Sequence, residues 1–182
     1  SEMRQAAEVR SDLDRQRNRN RLPHGSHEFD IPLFIKGVNA GEDARRCVEA
    51  GVDVIWVSNH GGRQLDHTRA CIDALPEVVG AVEGQVPVIV DGGFMRGADV
   101  VKGLCLGADL VAMGRFEGLA MAAGGAPALV KALTIIEQEI RTSMALMGVS
   151  ELSGLGPALL ERAQPMVTPG VLSAFPLLDE GY

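Results

Sequence analysis

The sequence predicts an α/β chain of four parallel strands with their helices, part of a (β/α)8 TIM barrel and incomplete on its own. Three observations predict it. Continuous apolar runs of strand length recur along the chain, each followed by a glycine-bearing turn and an amphipathic stretch of helical period. With 22 glycines in 182 residues and only 4% aromatics, tight turns are plentiful and Val, Leu, Ala and Ile must fill the interior. Nearly every polar group of interest stands just after an apolar run, where a parallel barrel places its chemistry. An open doubly wound sheet shares this local pattern and is the competing architecture. Half a barrel leaves two unpaired strand edges and an uncovered inner face, so a second half-barrel or an oligomer is expected.

Taken in order, residues 1–30 stand apart. Ser1 to Arg21 is nearly all polar and reads as a frayed helix, and Leu22-Pro23-His24-Gly25-Ser26-His27 reads as a mobile loop. The basic run Arg15-Gln16-Arg17-Asn18-Arg19-Asn20-Arg21 reads as a solvated segment. His24 and His27 have a ligand-like spacing but no acidic or thiol partner, so they read as loop histidines. The barrel half spans residues 31–150. Pro32 to Ile35 is the first strand, followed by Lys36-Gly37 and a helix over Glu42 to Ala50, which Asn39 or Gly41 could cap. Val54 to Val57 is the second strand, with a helix from about Thr68 to Val82. Pro87 to Val90 is the third, with a helix from Ala98 to Leu106. Leu110 to Met113 is the fourth, and a long helix runs from about Ala126 to Met147. Gly51 and Gly107 end their helices in left-handed turns. Residues 151–182 form a C-terminal tail.

Composition narrows the function classes. A net charge of -7 argues against a nucleic-acid backbone as the main partner. Cys47, Cys71 and Cys105 lie far apart without metal spacing, which suits a reducing compartment. No secretory signal and no apolar run long enough to cross a bilayer is read, and the terminal Leu178-Asp179-Glu180-Gly181-Tyr182 carries no peroxisomal address. A cytoplasmic, bacterial setting is the resulting expectation. Ser1 in place of an initiator methionine points to a processed product or a piece of something longer.

The richest stretch is Ser58-Asn59-His60-Gly61-Gly62-Arg63-Gln64-Leu65-Asp66. An imidazole and a guanidinium leave the end of a strand together, with two glycines between them. A neutral imidazole accepts a proton, and an arginine fork holds a carboxylate at two points. Together they point to chemistry on a small carboxylic acid, with Asp66 either orienting His60 or stabilising the turn. Asp91-Gly92-Gly93-Phe94-Met95-Arg96-Gly97 opens the next helix, and Gly114-Arg115 follows the fourth strand. Glycine turns at helix starts beside a fixed cation suit a phosphate. Lys36, at the end of the first strand, could stabilise negative charge on a bound ring in the same mouth. Trp56 and Met113, Met121, Met144 and Met147 read as packing.

With SNHGGRQLD, IKGV, DGGFMRGADVVKGLCLGA and MGR, the chain resembles the FMN-dependent α-hydroxy-acid oxidases and dehydrogenases, such as glycolate oxidase, lactate oxidase and mandelate dehydrogenase. The likeness covers about residues 31–150, the second half of that family's barrel. It implies FMN-dependent oxidation of a small 2-hydroxy acid to the 2-keto acid. His60 would be the base, taking the proton from the α-carbon or its hydroxyl, and Arg63 would hold the carboxylate. Lys36 would face the pyrimidine side of the flavin, with Ser58 also at the isoalloxazine. Asp91, Gly92, Gly93, Gly114 and Arg115 would bind the ribityl chain and phosphate, and Arg96 would remain as the basic residue of the DGG loop. The family has two basic residues in that loop, whereas Met95 stands at the first position here; the missing contact is worth about 1–3 kcal/mol. The resemblance also implies that the first half-barrel comes from the same polypeptide or a separate chain. Two other functions fit part of the pattern. One is a non-catalytic half-barrel assembly subunit; the other is another flavin or phosphate barrel enzyme, such as type 2 isopentenyl diphosphate isomerase.

Overall fold

A computed structural model of the chain describes residues 32–163 apart from Asp66. Four parallel strands lie in the order of the sequence: β1 (Phe34–Lys36), β2 (Val54–Val57), β3 (Val88–Val90) and β4 (Leu110–Val111). Between them run α1 (Gly41–Glu49), α2 (Cys71–Val82) and α3 (Gly97–Cys105), and α4 (Gly114–Leu146) follows β4. A doubly wound sheet reverses strand order at its switch point. This sheet does not reverse, so the four units form an arc of a barrel.

Registry shows which side of the arc is covered. Ile35 aligns with Ile55, Ile55 with Val88, and Val57 with Val90, and these side chains form one core with α1 and α2. Cys47, Cys71, Ala74, Leu75, Val78 and Val82 meet them from the helices and are fully or almost fully buried. Alternate positions point to the other face, because successive strand residues do. There Phe34 is 49% exposed and Leu110 55% exposed, alongside half-buried Val54 and Trp56. One apolar face of the sheet is thus packed and the other is left without a covering layer among the described residues. A second core joins Val101 and Cys105 of α3 to Met144 of α4, with Leu155 and Leu160 packed against it. Part of the segment expected to be a tail therefore docks on the last two helices.

Several boundaries differ from expectation. Residue Ala40 caps α1, not Asn39 or Gly41, and its side chain makes no capping bond. The Asn39 amide is engaged elsewhere, and the Gly41 N–H is satisfied by Glu77 Oε1 of α2 at 2.7 Å. Helix α2 starts at Cys71 rather than Thr68, because Ala70 is extended. The last helix starts at Gly114, not Ala126. It is interrupted at Gly124 and Gly125, the latter at φ 64, and Ala126 begins only its second segment. Glycines at 114, 118, 124 and 125 hid the first segment by lowering helix propensity. Length and composition also make α4 apolar enough to cross a membrane, correcting the reading that no such run exists; the Gly124–Gly125 break divides it. Gly51 and Gly107 adopt the left-handed conformation expected of them, at φ 79 and 97. The readings of residues 1–30, of Asp66 and of the chain end beyond residue 163 lie outside the described residues.

Candidate functional site

Parallel strands bring their C-terminal ends to one rim, where Lys36, Ser58 and Asp91 meet. At its centre is the Ser58 hydroxyl, 2% exposed. It donates to Asp91 Oδ1 at 2.5 Å, accepts from Lys36 Nζ at 2.6 Å and accepts from the His60 N–H at 3.2 Å. A serine hydroxyl offers one proton and two lone pairs, so all three are committed. Lys36 Nζ also lies 2.9 Å from Asp91 Oδ2 and 5.1 Å from the centre of the Trp56 ring. The ends of β1, β2 and β3 are thereby joined through one buried atom. The charges of Lys36 and Asp91 balance each other.

Asn39 is a member of this cluster that the sequence reading missed. Its amide donates to the Ser58 carbonyl at 2.7 Å, fixing the chain where it leaves β2. Its position two residues beyond a strand-ending glycine was the available signal, but a capping role explained it equally well. Two buried polar atoms, Asn39 Oδ1 and Trp56 Nε1, have no partner among the described residues.

Beyond Ser58 the backbone makes a 3-10 turn over His60–Gly62, with Arg63 at its end. Three successive residues are left-handed: His60 at φ 57, Gly61 at 67 and Gly62 at 71. Such a run explains the paired glycines, since other L residues pay about 1–2 kcal/mol each in that conformation. Asn59 closes the turn, its Oδ1 accepting from the Gly62 N–H at 3.2 Å. His60 and Arg63 are both exposed. Among the described residues no hydrogen bond or ion pair engages either the His60 ring or the Arg63 guanidinium.

The two glycine-bearing helix starts differ. Gly92 is wedged: a Cβ there would lie 2.9 Å from Cys71 Sγ and 3.1 Å from Asn59 Oδ1. Gly93, at φ 101, faces open space. Arg96 does not turn to the rim. Its guanidinium is held at 2.6 and 2.8 Å by Glu139 of α4, which also accepts the Gly97 N–H at 2.7 Å. The Arg96 guanidinium, then the Gly97 N–H, hold the Glu139 carboxyl below its ordinary value. Sequence distance concealed Glu139, which lies 43 positions from its partner. Arg115, in the first turn of α4, donates from Nη1 to the Gly61 carbonyl at 3.1 Å. Burial raises the thiol pKa of Cys71, beneath Gly92, and pushes that of Cys47 up to about 11. Both belong to the core.

Residues 1–162 match the family model described as FMN-dependent dehydrogenase. An L-lactate oxidase of Nostoc sp. is 44% identical over 130 residues, covering 71% of this chain and 36% of that protein. The 2-hydroxyacid oxidase 1 of Mus musculus is 44% identical over 132 residues, covering 72% and 36%. The crystal structure of mandelate oxidase with (S)-2-phenylpropionate superposes with a TM-score of 0.68 at 44% identity, covering 70% of this chain and 38% of that one. A mandelate oxidase variant solved with a monooxide FMN adduct gives the same TM-score, covering 40% of its chain. The chain spans about a third of the length of the curated relatives it matches.

Proposed function

The chain belongs to the FMN-dependent dehydrogenase family, and from that premise we propose that it is the base-bearing, flavin-anchoring half of an enzyme that oxidises a small 2-hydroxy acid to the 2-keto acid. The observation that carries the reading is the convergence of Lys36, Ser58 and Asp91 directly beneath the His60 turn. The residues present suit FMN. Gly93 leaves the backbone open to close approach, Asp91, fixed by Ser58, keeps carboxylate lone pairs for a hydroxyl, and Arg115 at a helix start suits a phosphate. Gly92 supports that rim by its tight packing, and Gly114 leaves space at the start of α4. Arg96 takes a different place in this reading, tying α3 to α4 through Glu139.

Bound FMN would supply the acceptor for the two electrons that leave the substrate. The residues of this chain do the rest. Arg63 grips the substrate carboxylate with two parallel hydrogen bonds and so fixes the α-carbon relative to the turn. His60 receives the proton, from the α-carbon or from its hydroxyl. Lys36 presents its ammonium to the ring edge, held in place by Ser58 and Asp91. The hydroxy acid becomes the keto acid by losing two protons and two electrons: one proton goes to His60, and the other leaves with the two electrons to the acceptor that bound FMN would supply.

Activity needs a second half-barrel, supplied by the same polypeptide or by another chain, in an oligomeric assembly. The uncovered face bearing Phe34, Trp56 and Leu110 supports this requirement. The same face also favours a second reading, a non-catalytic half-barrel that binds a partner. Three free, buried cysteines support a cytoplasmic location. Co-expression with the N-terminal half of a lactate oxidase relative tests the main reading. The assembly should be yellow and bleach anaerobically with a 2-hydroxy acid. His60→Gln should keep the colour and slow bleaching by about 100- to 10,000-fold. A colourless assembly that ignores added FMN, with this chain sedimenting as a stable complex, would replace the first reading with the second.

A further inference from the structure

We propose that Arg115 is a positioning residue for the His60 turn, coupling phosphate occupancy at the start of α4 to the order of residues 60–63; this rests on the flavin reading above. The turn needs holding: His60 bears the cost of a left-handed φ of 57, and Gly61 and Gly62 that follow have the most conformational freedom to lose. Its internal supports reach only its ends: the Gly62 N–H to Asn59, and the His60 N–H to Ser58. The middle carbonyl, that of Gly61, is held from another element, 54 residues away, by Arg115 Nη1 at 3.1 Å. A Cβ at position 61 would stand 3.7 Å from Nη1 and 3.8 Å from Cζ, ordinary contact distances, so the guanidinium lies close beside this glycine while its φ of 67, not lack of space, is what favours glycine there.

A guanidinium carries five N–H donors, and the Gly61 carbonyl uses one. The others remain for an anion at the α4 start. Arg115 is an exposed side chain, and fixing it has an entropic cost that the turn and the phosphate would share. Each contact then makes the other easier to form, and the coupling is reciprocal. Phosphate held at one strand end would steady the base and the carboxylate clamp at another, two strands away. Arg115 touches neither substrate nor proton in this role; it acts through Gly61.

Amide hydrogen exchange of residues 60–65 in the 182-residue chain tests this in two arms. Without flavin, Arg115→Met should speed exchange there by about five- to tenfold, the loss of one exposed hydrogen bond, with helix content unchanged by circular dichroism. Unchanged exchange would overturn the tether whatever FMN does. In the second arm, FMN should slow exchange of the turn in the natural chain, and riboflavin, which lacks the phosphate, should do so much less. A merely structural arginine would give the two flavins equal effects, and that result would overturn the coupling. Arg115→Lys keeps the charge but not the fork, and should lose the difference between FMN and riboflavin; its retention would also overturn the proposal. If neither flavin binds this chain alone, the second arm is run on the assembly with the N-terminal half, where failure to bind either flavin would end the functional reading and the coupling together; the flavin-free arm still decides the tether.

Discussion

Helices α3 and α4 begin alike and end up doing different things. Each follows a strand, opens on a glycine (Gly97 or Gly114) and carries an arginine at the junction (Arg96 or Arg115). By sequence both are anion sites. At α3 the fold supplies its own anion: Glu139 takes the Gly97 N–H and the Arg96 guanidinium together. At α4 no carboxylate among the described residues bonds to Gly114 or Arg115, and the arginine reaches a neutral carbonyl instead. A glycine turn at a helix start therefore marks a place where an anion fits. Whether a ligand can use it depends on what the neighbouring helix already puts there.

The sharpest way to break this contrast is to put a methyl group at each glycine. A Cβ on Gly97 would fall 2.4 Å from Glu139 Cβ and 2.6 Å from the Ile140 backbone nitrogen, too close for either to be retained in place. Gly97→Ala should cost about 3 kcal/mol or more, lowering Tm by about 6–12 °C. Nothing lies within 4 Å of a Cβ on Gly114, so Gly114→Ala should change stability by less than about 1 kcal/mol, in the favourable direction. Equal effects in thermal denaturation would mean that the two starts are packed alike.

A smaller effect separates the arginines by function. Arg115→Met should weaken FMN binding by about 10- to 100-fold, as expected for a lost charged contact. Arg96→Met should leave it within about twofold, since that guanidinium is spent on Glu139. Fluorescence titration decides, and a larger loss at position 96 would reverse the assignment. Met95, beside it and 36% exposed, allows the converse change. Met95→Arg should tighten FMN by about fivefold without altering riboflavin, and the gain should fade as salt rises.

How far the sequence carries such distinctions depends on the range of the forces involved. Val54 to Val57 and Pro87 to Val90 declared themselves as strands because the strands of a parallel sheet carry apolar residues on both faces, a local pattern. Lys36, Ser58, His60 and Asp91 were each visible because chemistry at strand ends has a fixed place in a barrel. Their mutual bonding was not, since it depends on three strand ends meeting at one hydroxyl. Glu139 was hidden for the same reason, as a surface glutamate on a helix looks like any other until the fold brings Gly97 under it. The start of α4 was obscured by its own glycines, so a helical first turn that holds Arg115 read as a loop.

The smallest predicted effect turns one helix start into the other. Glu139 has its folded pKa lowered first by Arg96 and next by the Gly97 N–H, relative to about 4.3 for an unfolded glutamate. Its contribution to stability is therefore complete above that unfolded value and disappears as pH falls through the lower folded one. Acid should loosen the α3–α4 tie in that window, and Glu139→Gln should flatten the part of the stability–pH profile that this carboxylate contributes. The same substitution leaves Arg96 with its charge and without its carboxylate, as Arg115 already is. Inorganic phosphate should then raise Tm of the Glu139→Gln chain slightly more than that of the natural chain at neutral pH. An identical response would show that the carboxylate is not what keeps anions from the start of α3, and that its wedge of Gly97 against Ile140 is the stronger barrier.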